Sequence, residues 1–148
     1  MKINFMNKPA RDEDLHTQAD WFAQYSMCKD WWTGHGWAPV PAQLLPSLGV
    51  IVGSDDDRKG HCAGFLYMDN SSPVAMMEWV VTNPQNTPRE SLGSISMMVD
   101  FLKIEAKALG YDVIMTGTKV DGLIKLYMKR GFTKTDEGMT HLIHNLHE

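Results

Sequence analysis

The sequence predicts an α/β fold of the α+β type, and three observations point to it. An apolar strand, an amphipathic helix and a second strand follow one another between residues 74 and 116. Two apolar runs flank a charged turn upstream, and the chain beyond residue 131 reads as a strand pair. A strand, helix and strand of this length lie with their strands parallel and a right-handed crossover, whereas short turns join antiparallel neighbours.

Residues 2–5 form an opening strand, and 12–27 a helix with Leu15, Phe22 and Tyr25 on or near one face. An irregular aromatic and Pro-rich stretch covers 31–46. Residues 48–52 and 62–68 make a hairpin around Ser54-Asp55-Asp56-Asp57-Arg58-Lys59-Gly60. The run 74–81 has a β-branched end and is stopped by Asn83-Pro84, as a buried strand would be. From Leu92, apolar residues recur at Ile95, Met98, Val99, Leu102, Ala106 and Leu109, the spacing of an amphipathic helix, and Gly110 follows as its terminator. Residues 111–116 are the next strand. A short helix takes Asp121 as N-cap, carries Leu123, Ile124 and Tyr127, and ends at Gly131. Segments 132–135 and 139–146, turning at Glu137-Gly138, complete the order β-α-β-β-β-α-β-α-β-β as an antiparallel pair.

At 148 residues, 43% of them hydrophobic, residues 1–148 make one domain that buries roughly two thirds of its unfolded surface. Lys and Arg number 14 against 18 Asp and Glu, for a net charge of −4. A nucleic-acid binder carries a basic excess, so no nucleic-acid partner is expected. No apolar run approaches the ~20 residues of a membrane helix, so no membrane partner is expected either. The polar start, without an h-region or cleavage site, makes a cytoplasmic location the expectation. Cys28 and Cys62, outside any Cys-x-x-Cys pattern, read as buried or idle thiols of a reducing compartment. His141, His144 and His147 recur at helical spacing on a strand-like segment with no Cys partner, so no metal is expected.

The element order, the strand ending Val81-Thr82-Asn83-Pro84, the Gly-containing loop and the segment Leu126-Tyr127-Met128-Lys129-Arg130-Gly131-Phe132 resemble the GNAT superfamily of acyl-CoA-dependent N-acyltransferases. The resemblance spans about residues 62–146 and is sharpest in Leu-Tyr-x-x-x-Gly-Phe. The short length and divergent loop resemble small GNAT-like proteins encoded by tailed phages. The resemblance implies a central mixed, mostly antiparallel sheet with a splayed parallel strand pair, flanked by helices on both faces. It also implies acetyl-CoA (CoA) as co-substrate, its arm lying between the splayed strands at Val80, Val81 and Thr82.

The family's phosphate loop reads Arg/Gln-x-x-Gly-x-Gly/Ala, and Arg89-Glu90-Ser91-Leu92-Gly93-Ser94 stands in its place. Glycines belong there because backbone N–H groups must close on a pyrophosphate at a helix N-terminus. Leu92 takes the first glycine's position, and the loop before Arg89 is longer than usual. Thr87-Pro88-Arg89-Glu90 is at the same time a capping box with Pro at the first helical position. Two readings stay open: a helix start that receives the pyrophosphate, with Arg89, Lys119, Lys125 and Lys129 as nearby cations, and a self-capped helix whose Glu90 consumes the donors.

Acyl transfer from a thioester to an amine needs a polarised carbonyl, a neutral amine and a proton for the thiolate. The resemblance implies that a backbone amide of residues 78–82 polarises the carbonyl, a type of donor worth ~3–4 kcal/mol. It implies that Tyr127 protonates the thiolate, as a phenol of pKa ≈ 10 can at neutral pH. The competing role for Tyr127 is a ring packed in the core with its hydroxyl at the rim. The Asn that many members carry upstream of this Tyr is absent, with Val120 and Asp121 in its place. Glu78 is a lone carboxylate in an apolar strand, where several members place a general base that burial would strengthen. Its alternatives are a strand end or a pair with a buried cation. Trp31, Trp32, His35 and Trp37 fall on the family's acceptor side, to line the acceptor slot or plug the core, with His35 a further candidate base.

These residues predict an acyl-CoA-dependent N-acyltransferase that moves an acetyl or short acyl group to a primary amine by direct transfer in a ternary complex. Neither cysteine has the basic surroundings of a covalent nucleophile. The acceptor, small molecule or protein, is not legible, and the oligomeric state stays open between monomer and homodimer. The rival is a catalytically degenerate GNAT-fold module that binds CoA or another protein, favoured by Leu92 and the missing Asn.

Overall fold

A computed structural model describes residues 1–147. Five strands form one sheet in chain order: β1 (Lys2–Asn7), β2 (Leu48–Gly53), β3 (Gly60–Met68), β4 (Val74–Thr82) and β5 (Val113–Thr116). The first four are antiparallel neighbours, and β5 runs parallel to β4. Strand side chains alternate between faces, so the strands feed two cores. On one face Ile51, Ala63 and Phe65 pack under α1 (Ala19–Gly34). On the other, Val50, Val52, Cys62, Leu66 and Met77 meet Ile95, Met98, Val99 and Leu102 of α2 (Pro88–Ala108). The short α3 (Asp121–Lys129) adds Leu126 and Tyr127 to that second core. The sheet is thus mixed and mostly antiparallel, with helices on both faces, as the resemblance implies.

Alpha-2 comes so close to β3 that a Cβ on Gly64 would meet the Met98 thioether, which would have to move to make room. Among the described residues no helix is long and apolar enough to cross a membrane.

Three expectations need correction. The first helix lies downstream of residues 12–27: Asp12–Asp14 is a 3-10 turn, and α1 runs from Ala19 through Trp31 and Trp32 to Gly34. Arg11 binds the Asp14 carboxylate at 3.0 Å while the Asp14 carbonyl accepts from Thr17 and Gln18, which closes a turn and restarts the helix. Its buried stripe is Trp21, Tyr25, Cys28, Trp31 and Trp32, and Phe22 is exposed. Asp121 is the first residue of α3 rather than its N-cap, which is Val120, and there its charge still favours the helix dipole. Finally, the expected strands 132–135 and 139–146 do not form, and residues 132–147 are irregular. Leu142 and Ile143 stand side by side instead of alternating, so either strand register would leave one on the solvent face, and both are exposed here with Leu146. The available edge, β5, is only four residues long.

Candidate active site

Beta-4 and β5 part inside the sheet. Their last pairing is Met77 with Thr116, where the Thr116 hydroxyl donates to the Met77 carbonyl at 2.6 Å. Beyond it, residues 78–82 keep a neighbour on the β3 side alone. On that side the register slips: Phe65 faces Glu78 and Ala63 faces Val81, so Trp79 and Val80 together oppose Gly64. This is a β-bulge, which bends its strand and re-aims the side chains that follow. Trp79 pays for it with φ 59°, rare for a bulky residue. Its indole Nε1 is held by the Tyr67 hydroxyl at 2.7 Å, and that hydroxyl donates to the Leu44 carbonyl.

A cleft of about 300 Å³ opens where the strands part. Val80, Val81 and Thr82 of β4, Ser91, Leu92 and Ile95 of α2, and Val120, Leu123 and Leu126 at α3 line it, together with His35 and Trp37. Apolar side chains dominate the wall. His35 stacks on Trp37 with ring centroids 4.7 Å apart, and its Nε2–H donates to the Thr82 carbonyl at 2.9 Å.

Of the four acceptor-side residues named above, the structure brings only His35 and Trp37 to the cleft. Trp31 and Trp32 are buried in the α1 core, Trp32 against Phe65 at 6.1 Å between centroids. Tyr127 does not line the cleft: it is buried in the core on the α2 face, next in the chain to Leu126, its ring 5.6 Å from Phe132. Burial pushes its phenol well above the ordinary value, with Cys62 and Glu78 acting in the same direction. A phenol so held is fully protonated at neutral pH. Glu78 is half-buried at the parting point, and desolvation raises its carboxyl while His141 pulls the other way. The His141 ring lies against Gly117, just beyond β5, its Nε2 3.8 Å from where a Cβ there would stand. Sequence reasoning missed His141 because it treated that segment as a strand. It missed Val120, Leu123 and Leu126 too, whose only signal was apolar spacing on α3. Cys28 and Cys62 are free and buried, and burial pushes both thiols up to about 12.

The head of α2 carries the predicted phosphate loop. Four N–H groups at a helix start lack intrahelical partners. Here Thr87 N–H donates to Glu90 Oε1 at 2.9 Å, and Glu90 N–H to Thr87 Oγ1 at 3.2 Å. Pro88 at the first position has no N–H. Among the described residues that leaves the Arg89 N–H as the one donor of the set without an intramolecular partner. Lys59 closes on both Glu90 oxygens at 3.0 and 3.1 Å, and the buried His61 lies 3.8 Å from the same carboxylate. The Thr87 amide, then Lys59, hold Glu90 down to about 2. The preceding loop is tied as firmly: Asn86 Nδ2 donates to the His61 carbonyl at 2.7 Å, and His61 Nδ1–H donates to Asn86 Oδ1 at 3.1 Å. Ser94 is buried with its hydroxyl on the Ser91 carbonyl, Leu92 is 59% exposed, and Gly93 abuts Met1. Arg89, Lys119, Lys125 and Lys129 are exposed.

No family model and no curated protein matches the chain. Solved structures do. A probable acetyltransferase shares 15% identity over 98% of this chain and 98% of its own, with a TM-score of 0.62. Aminoglycoside N-acetyltransferase AAC(6')-Iy, in complex with the bisubstrate analogue CoA-S-monomethyl-acetylneamine, shares 16% over 97% and 98%, also at 0.62. An acetyltransferase of Trypanosoma brucei shares 12% over 96% and 99%, at 0.55. At these identities the likeness establishes the fold, which is that of GNAT acetyltransferases.

Proposed function

We propose that this chain is an acyl-CoA-dependent N-acyltransferase that moves an acetyl or short acyl group from a thioester to a primary amine by direct transfer. The parting of β4 from β5 beyond Met77 and Thr116 carries this reading, because it turns unpaired strand backbone toward an apolar cleft of about 300 Å³. A pantetheine arm is slim, apolar along its methylenes and studded with amides, so it needs such a slot and such backbone partners.

The residues then divide the work. A backbone N–H of residues 80–82 polarises the thioester carbonyl as the amine nitrogen attacks its carbon. As the carbon–sulfur bond breaks, Tyr127 gives its proton to the thiolate. Glu78, raised by burial, accepts the proton lost by the amine, directly or through water. His35 and Trp37 border the acceptor's approach. AAC(6')-Iy, whose structure holds a CoA-derived bisubstrate analogue in the same fold, supports the assignment of donor and reaction type.

The closed head of α2 favours a second reading, a GNAT-fold module without turnover. Thiol release from acetyl-CoA with a panel of primary amines separates the two. Amine-dependent release above hydrolysis is expected; binding without release would leave the module.

A further inference from the structure

We infer that the acyl donor is recognised through its acyl-pantetheine end and that the nucleotide diphosphate of CoA adds little to binding, so that a pantetheine thioester lacking the nucleotide serves as well as acetyl-CoA. This rests on the proposed acyltransfer for its chemistry, but its binding half stands apart from turnover.

A pyrophosphate bound at a helix start must take the place of water on several N–H groups at once, because each bond offsets part of the cost of stripping a dianion. The head of α2 offers one. The capping box engages two donors, Pro88 removes a third, and only the Arg89 N–H is left. Freeing more would break the Thr87 and Glu90 bonds. Those bonds are reinforced from the turn before β3, where Lys59 grips both Glu90 oxygens at 3.0 and 3.1 Å. Lys59 is thereby neutralised as a phosphate partner. The Glu90 carboxylate also sets a fixed negative charge where the phosphates would lie, and its pKa of about 2 keeps it ionised throughout the working pH range.

Other features of the site point the same way. Leu92, at the position where a small residue would let phosphate approach, stands 59% exposed on the rim of the cleft and offers apolar contact to an arm instead. The remaining cations, Arg89, Lys119, Lys125 and Lys129, are exposed side chains whose pull on a polyanion is screened within ~8 Å at physiological salt. The slot for the arm is meanwhile fully formed, from Val80 and Val81 across to Leu123 and Leu126.

The test compares pantetheine with CoA by calorimetry, and S-acetyl-pantetheine with acetyl-CoA in the thiol-release assay, each at low and high salt. The expected result is affinities within about threefold of each other, little changed by salt, and matching kcat/KM values with a common amine. Glu90→Gln keeps the cap's shape while removing its charge and loosening Lys59, and should open a gap of about tenfold in favour of CoA. A wild-type preference for CoA of about a hundredfold or more, or binding of neither ligand, would overturn the inference. Equal binding without any transfer would sustain it and sink the acyltransferase reading instead.

Discussion

Where β4 leaves β5, strand backbone and apolar side chains border an open cleft, whereas one helix turn away, at the head of α2, two of four donor positions are engaged within the chain and a third is proline. The two regions adjoin through Ser91 and Leu92, yet they answer to different physics. The slot follows from topology: once β5 stops at Thr116, the end of β4 has no neighbour on that side, whatever its sequence. The helix head follows from side-chain chemistry, and four residues, Thr87, Pro88, Glu90 and Lys59, decide it. A shared fold therefore transmits the first feature and not the second. An N-terminal dipole attracts anions only so far as its N–H groups are free to meet them.

The sharpest way to break this comparison is in the core behind the open end, through Tyr127→Phe. Removing only the hydroxyl keeps the ring beside Phe132 and leaves fold stability and donor affinity nearly unchanged. If the phenol protonates the leaving thiolate, amine-dependent thiol release should fall by ~10²–10⁴ at nearly constant KM. Undiminished turnover, with chemistry limiting the rate, would assign Tyr127 to the core and the proton to water.

A smaller effect is expected from Gly64→Ala, which attacks the same end from beneath. The added Cβ meets the Met98 thioether, so the fully buried Met98 side chain must shift against its core neighbours. Overpacking of this kind costs ~1–3 kcal/mol, read as a lower urea midpoint. Because Gly64 faces the Trp79–Val80 bulge, activity should drop further than the stability loss explains. Full specific activity in the folded variant would show that the bulge does not set the geometry of the cleft.

How far each region was legible follows from what its signals were. All five strands and α2 follow from periodicity and turn chemistry, with small shifts at their ends. Alpha-1 is displaced because Trp31 and Trp32 read as loop aromatics, when with Trp21, Tyr25 and Cys28 they continue a buried stripe at a spacing of three and four. The C-terminal strands rest on strand-like runs around the turn Glu137-Gly138, and Leu142-Ile143 lacks the alternation that would support them. At the site, the capping box was visible in Thr87-Pro88-Arg89-Glu90, and its two hydrogen bonds form. Lys59 was invisible: it lies 31 residues from Glu90, and only the antiparallel return of β3 sets it there. The fates of Trp31 and Trp32 against Trp37 likewise depend on where α1 ends, and the mark of that end is Gly36, left-handed at φ 78° just past the C-cap His35.

The smallest effect probes the closed end through its acid stability. Glu90 falls from an ordinary 4.5 to about 2 in the folded protein, chiefly through the Thr87 amide and then Lys59. A carboxylate with a depressed folded pKa contributes stability that is fully present above its unfolded value and is lost as pH falls through the folded one. Between roughly pH 4.5 and 2, then, the wild-type chain loses a contribution that Glu90→Gln never had. Urea midpoints of the two proteins, followed from pH 6 downward, should differ in favour of the wild type above this window and converge within it. The comparison cancels the other acids of the chain, Asp56, Asp57 and Asp69 among them, which carry depressed pKa values of their own and titrate alike in both proteins. A gap between the proteins that stays constant down to pH 2 would mean that Glu90 is not held by the Thr87 amide and Lys59, and that the donors at the head of α2 are free after all.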